Sequence, residues 1–260
     1  MKYAASCFLA MIVAVGLNIG TANSPKEQGS GTVNAPVQQT YVADEAVISG
    51  VLEITEEDMK FEQTNPIVYR ALFDITESWN KLDALEKSGI PVGHYKKDAY
   101  ALAEYVRKVG AEKDVTEVSL AGQTLNDAET VVYHGNTDNG AWVTNAAAYA
   151  SYKELIDENS SDLDGTADNA KKHAKWSATA VIFSGDAQYT KYFTDAHEFG
   201  HPANFADEAN FYDSDMDMKN NAAGREIGTT LRANGRLRAM KNLDPTIEQY
   251  YNDGKLTTLK

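Results

Sequence analysis

Two short blocks of the sequence contain residue types that can bind a metal ion or transfer a proton. Residues 193–201 include Ala196-His197-Glu198, and residues 216–225 include Met216-Asp217 followed by two adjacent Asn and an Arg. Imidazole and carboxylate groups together suit metal ligation or general acid–base chemistry. An amide or a guanidinium can hold a carbonyl or an anionic group. The two blocks therefore predict a polar site.

Three predicted helices would position these groups. Residues 167–183 are predicted to form one helix, in which the i to i+4 step puts Asn169 and His173 on one face. Residues 187–200 are predicted to form the next helix, with His197 inside its apolar stripe. A further helix is predicted from Asp217 onward. If these helices pack together, their polar groups would meet in one pocket.

The third helix carries a glycine stripe beside its polar residues. At about 100° per residue, Asp217, Asn221, Gly224 and Gly228 lie within roughly 60° of one another, with Arg225 at the edge. Glycine inside a helix costs about 1 kcal/mol relative to alanine, so a close approach by another helix or a ligand is expected there. The six residues predicted for catalysis are His173, His197, Glu198, Asp217, Asn221 and Arg225. A divalent metal such as zinc would bind His197, Asp217 and His173.

The same histidine also opens a zinc-peptidase pattern. Residues 197–201 read His-Glu-Phe-Gly-His, in which His197 and His201 would bind zinc and Glu198 would be the general base. Pro202 follows at once and disfavours the helical conformation at His201. No histidine follows His201, so a third ligand would have to be a carboxylate. This interpretation stays open as an alternative.

Three ordered blocks resemble a bacterial family of uncharacterised helical domains found in exported and surface proteins. The blocks are Asn169-Ala170-x-x-His173-x-x-Trp176, then Ala196-His197-Glu198, then Met216-Asp217-x-x-Asn220-Asn221-x-x-Gly224-Arg225. The family pattern has Arg before the first His, where this chain has Lys172, which cannot form the bidentate contacts of a guanidinium. The resemblance implies a helical domain and no established activity.

The rest of the chain predicts export and a helical scaffold. Residues 1–22 have the short positive and apolar regions of a signal peptide, with cleavage after Ala22, and residues 23–45 have the composition of a disordered tether. Residues 46–260 are predicted to form a single irregular multi-helix domain, mainly α, with its motif core at 165–241. The protein would then be secreted or periplasmic and have no membrane span after cleavage.

Composition narrows the classes of function. The formal net charge of −14 argues against nucleic acid as a surface-wide partner. The single cysteine, Cys7, lies in the predicted signal peptide, and Gly-x-Ser-x-Gly and glycine-rich phosphate loops are absent. The leading hypothesis is a secreted hydrolase that acts on a small or polymeric substrate, with or without the help of a metal. The rival is a non-catalytic exported binding or structural module whose polar groups only hold helices together.

Overall fold

The computed structural model describes residues 51–120, 123–156 and 165–259. The predicted signal peptide (1–22) and tether (23–45) lie outside the described residues, as does the beginning of the predicted domain. From Val51 onward the chain forms one compact unit. This part is mainly α-helical, so the predicted fold class is confirmed.

The helices follow one another with short connections. They are α1 (Glu56–Thr64), α2 (Pro66–Lys87), α3 (Gly93–Glu112), α4 (Asp127–Gly135), α5 (Thr137–Ile156), α6 (Ala167–Ser184), α7 (Ala187–Phe199), α8 (Glu208–Arg232) and α9 (Arg236–Asn252). A two-residue antiparallel pair, β1 (Ser119–Leu120) with β2 (Gln123–Thr124), precedes α4, and a 3₁₀ turn (Pro202–Phe205) follows α7. Among the described residues, no helix combines the length and apolar character that a membrane crossing requires.

Helix α6 lies between two hydrophobic cores. Trp176 and Ala180 contribute to the larger core, which also contains apolar residues of α2 to α5 and α7. Ala174 and Ala178 contribute to the smaller core, with residues of α8 and α9. Because α6 is packed on both sides, its polar residues are held in fixed positions between neighbouring helices.

Helices α6 and α8 approach closely at the predicted glycine stripe. A Cβ atom built on Gly224 would overlap the carbonyl oxygen of Ala174, and one built on Gly228 would lie 2.6 Å from the carbonyl oxygen of Ala178. Real side chains do not tolerate such contacts with backbone atoms. The predicted close approach of another helix at these glycines is confirmed.

Local capping chemistry decides where α4 begins. The sequence Thr130-Val131-Val132-Tyr133 has strand-like composition, but it lies inside α4. Asn126 accepts a hydrogen bond from the backbone N–H of Glu129, and the Glu129 carboxylate accepts one from the backbone N–H of Asn126. This reciprocal cap satisfies two N–H groups that a helix start leaves open. Residues 130–133 are therefore helical despite their strand-like composition.

Candidate functional site

The candidate site lies where α6, α7 and α8 meet. His173 of α6, Glu198 of α7 and Asp217 of α8 each present one possible ligand atom, and these three atoms lie within 4.8 Å of one another. His173 Nε2 is 3.3 Å from Asp217 Oδ1. Two ligands of a tetrahedral zinc ion with bonds of about 2.1 Å lie about 3.4 Å apart. The donor set therefore fits a divalent metal, after small side-chain rotations.

Two of the three residues are buried, and a carboxylate oxygen of one of them lacks a hydrogen-bond partner in the described part of the chain. The exposed fractions of His173 and Glu198 are 6% and 2%, and Asp217 is partly exposed. Glu198 Oε2 accepts a hydrogen bond from Asn204 Nδ2 at 3.1 Å, whereas the buried Glu198 Oε1 has no hydrogen-bond partner among the described residues. A buried carboxylate oxygen without a donor is costly. A bound cation would satisfy it.

Burial shifts the pKa values of His173 and Glu198, and these shifts decide whether each group is charged. Burial, with the nearby charges of His197 and Lys172, lowers the pKa of His173 to about 3, so its imidazole is neutral at neutral pH. Burial raises the pKa of Glu198 to about 7, although the charge of His197 and the nearby Ser214 hydroxyl act in the other direction. Neutral imidazole is the metal-binding form of histidine.

His197 lies beside this group and is held by a carboxylate. Its Nδ1 is 2.8 Å from Glu129 Oε1, and 43% of the His197 side chain is exposed. Burial of the ring lowers the pKa of His197, but the hydrogen bond and the charge of Glu129 outweigh it, and the pKa is raised to about 9. The imidazole is therefore oriented by Glu129 and partly open to solvent.

The two histidine rings share a neighbour. Trp176 contacts both, with ring-centroid distances of 6.1 Å to His173 and 5.3 Å to His197. The two imidazoles cannot be farther apart than these distances taken together. The charge of His197 affects the pKa of both His173 and Glu198, so His197 lies next to the group of three ligand atoms without belonging to it.

Asn221 adds a buried amide next to His173. Its Oδ1 accepts a hydrogen bond from the Ser177 hydroxyl at 2.9 Å, which orients the amide. Its Nδ2 has no partner among the described residues, and the residue is 1% exposed. An oriented donor of this kind can stabilise an oxygen that gains negative charge.

Arg225 of α8 contacts α7 at Thr194. Its Nη1 donates to Thr194 Oγ1 at 3.1 Å, one helical turn before Glu198. Burial lowers the pKa of Arg225, and the charges of Asp195 and Asp98 oppose that shift. The structure thus places Arg225 in a neighbouring charged cluster.

His201 does not continue the helical face of His197. Helix α7 ends at Phe199, and His201 has φ −124° and ψ 87°. The two rings are perpendicular, with centroids 6.2 Å apart, and His201 is exposed. Among the described residues, the three-residue ligand group contains neither His197 nor His201. The geometry therefore does not favour the zinc-peptidase arrangement.

Comparison with known proteins gives a partial match. The chain is similar over residues 139–251 to a family whose model is described as "Domain of unknown function (DUF6973)". The matched range contains α6, α7 and α8 entire, and with them His173, Glu198 and Asp217. No curated protein and no solved structure matches the chain.

Proposed function

We propose that the protein is an exported, metal-assisted hydrolase whose metal is held by His173, Glu198 and Asp217. The observation that carries the proposal is the convergence of these three ligand atoms, from three different helices, within 4.8 Å. The Glu198 Oε1 atom, which has no hydrogen-bond partner among the described residues, supports the proposal. If these polar groups only held the helices together, their buried acceptors would be expected to have partners within the protein. The three sequence blocks lie within the matched range, which supports their being what the family shares.

The residues around the ligands have distinct roles in this proposal. A bound divalent cation supplies Lewis acidity and lowers the pKa of water. His197, oriented by Glu129, transfers a proton at its Nε2, which is the ring nitrogen that Glu129 leaves open. Asn221 Nδ2 donates to the oxygen that gains charge. Hydrolysis needs these three actions and no covalent nucleophile.

The test begins with metal analysis of the purified protein and of four variants. Asp217→Asn and His173→Ala are expected to lose the metal, because each removes a ligand. His201→Ala should keep both metal and activity. His197→Ala should keep the metal and lose turnover on a panel of ester, amide, glycoside and phosphoester substrates, typically by 10²–10⁴-fold for a lost acid–base group.

Each other outcome identifies a rival. Equal metal loss in His197→Ala and His201→Ala would support the zinc-peptidase alternative instead. A parent protein without metal, in which the Asp217 and His173 variants are only destabilised by about 1–3 kcal/mol, would support the structural module. A metal-binding parent that turns over nothing on the panel would support a metal-dependent binding module.

A further inference from the structure

Two buried polar atoms on α6 lie one helical turn apart, and each lacks a hydrogen-bond partner among the described residues. They are Asn169 Oδ1 and His173 Nδ1. The residues are 3% and 6% exposed, so neither atom can rely on bulk water. An unsatisfied buried polar atom is rare in a native protein and requires an explanation, such as a functional role or a bound ion nearby.

The geometry of the helix directs the two side chains toward each other. Residues four apart share a helix face, and helical side chains lean toward the N-terminus, so the His173 ring leans over the turn that carries Asn169. His173 Nε2 faces Asp217 at 3.3 Å. Nδ1 is therefore on the ring edge away from the ligand group.

We infer that Asn169 is a positioning residue for the metal site: its Oδ1 accepts a hydrogen bond from His173 Nδ1 when Nε2 binds the metal. The inference rests on the proposed function. A histidine that binds a metal through one nitrogen almost always donates its other N–H to an acceptor, which fixes the tautomer and the ring orientation. Asn221 is the other amide that interacts with this ring, but its Oδ1 already accepts from Ser177, and His173 Nδ1 remains without a hydrogen-bond partner among the described residues.

In the metal-free protein the same amide oxygen contributes little to stability. Replacing it with an apolar side chain of similar shape removes an unsatisfied buried acceptor, and such replacements are close to neutral or stabilising. If Asn169 had only a structural role, its replacement would lower the stability of the metal-free protein and leave the affinity for metal unchanged. Stability without metal and affinity for metal are therefore expected to respond differently to one substitution.

The experiment titrates zinc into the purified full chain by calorimetry with a competing chelator. The variants are Asn169→Leu, which removes the acceptor, and Asn169→Asp, which keeps it. Thr179→Val is the matched control, because Thr179 Oγ1 is also buried and has no hydrogen-bond partner among the described residues. Thr179 lies on the same helix, six residues after His173 and about 120° around it. Melting temperatures are measured in excess chelator.

Asn169→Leu is expected to raise the zinc Kd by about 10–100-fold. Asn169→Asp and Thr179→Val should stay close to the wild-type Kd. With chelator, Asn169→Leu should melt at the wild-type temperature or above it. If Asn169→Leu does not fold, Asn169→Ala takes its place with the same expected loss of affinity.

Zinc binding by the wild type with an unchanged Kd in the acceptor-deleted variant would overturn this inference and leave the proposed function intact. Equal loss of affinity in Asn169→Asp would also overturn it, because the acceptor is retained there. A wild-type protein that binds no zinc, and no other divalent transition metal, would overturn the proposed function and this inference with it.

Discussion

At the scale of single residues, two carboxylates that cap the start of a helix also bind a side chain from another helix. Glu129 caps α4 with one carboxylate oxygen and holds His197 with the other. Asp58 closes a capping box with Thr55 at the start of α1 and also binds Arg107 of α3. In both cases a local helix-start motif places a carboxylate where a distant cationic or ionisable side chain can reach it.

The Asp58 pair gives a prediction with a defined pH dependence. Burial alone would raise the pKa of Asp58, but hydrogen bonds from Arg107 and Thr55 outweigh it and hold the pKa below its ordinary value. A depressed folded pKa stabilises the fold above the unfolded pKa of about 3.9, and that contribution is lost as the pH falls through the folded pKa. Asp58→Asn should therefore cost about 1–3 kcal/mol at neutral pH, because Arg107 loses its buried partner.

Denaturant unfolding at several pH values measures this effect. The difference between wild type and Asp58→Asn should be constant above pH 5 and shrink below about pH 4, as the wild-type Asp58 becomes protonated. Asp253→Asn is the control, because Asp253 is 44% exposed and its pair with Lys255 is long, at 3.8 Å; little change is expected. A difference that stays constant down to pH 2 would contradict the assignment.

At the scale of helices, periodicity predicted which segments are helical better than it predicted their ends. Glycine often ends a helix, but α3 continues through Gly110 to Glu112. Gly110 is a packing position, since a Cβ there would lie 2.6 Å from a methyl group of Val68. Glycine can end a helix or admit a neighbour, and one sequence does not distinguish the two. At Gly224 the sequence favoured a packing position, because a second glycine, Gly228, follows four residues later on the same helix face.

Only those residues of the candidate site that lie in local sequence patterns could be predicted from the sequence. His173 and Asp217 were singled out by polar residues at helical spacing, and Glu198 as the carboxylate next to His197. Glu129 was missed because it lies 68 residues before His197 in a segment of strand-like composition. The capping-box spacing from Asn126 to Glu129 would have indicated the helix start, although not the contact with His197, which depends on tertiary packing.

The crossing of α6 and α8 gives a prediction at the same scale. Gly224→Ala should destabilise the protein by about 1–3 kcal/mol, because its new Cβ would overlap backbone atoms of Ala174, which cannot rotate away. Gly93→Ala is the matched control in α3, since its Cβ would meet only the flexible end of Glu86, at 3.0 Å. Thermal melts compare the two. A raised melting temperature for Gly224→Ala would contradict the close crossing.

At the scale of the whole molecule, a metal at the site would add a link between three helices that border the hydrophobic cores. Glu198 extends from α7, whose apolar residues belong to the larger core, and His173 extends from α6, which contributes to both cores. The net charge of −14 also attracts cations without specificity. Measurements at an ionic strength near 0.15 M, where the Debye length is about 8 Å, suppress that background.

Zinc is therefore expected to stabilise the whole folded unit rather than one helix. At a free zinc concentration of 100 times Kd, a site present only in the folded state adds about 2.7 kcal/mol to the free energy of unfolding. For a unit of this size the melting temperature should rise by about 5–10 °C in a single transition. His201→Ala should show the same rise, and Asp217→Asn should show none, because only the second removes a ligand. An equal rise in Asp217→Asn, or a rise that magnesium reproduces in full, would mean that zinc acts on the acidic surface and not at His173, Glu198 and Asp217.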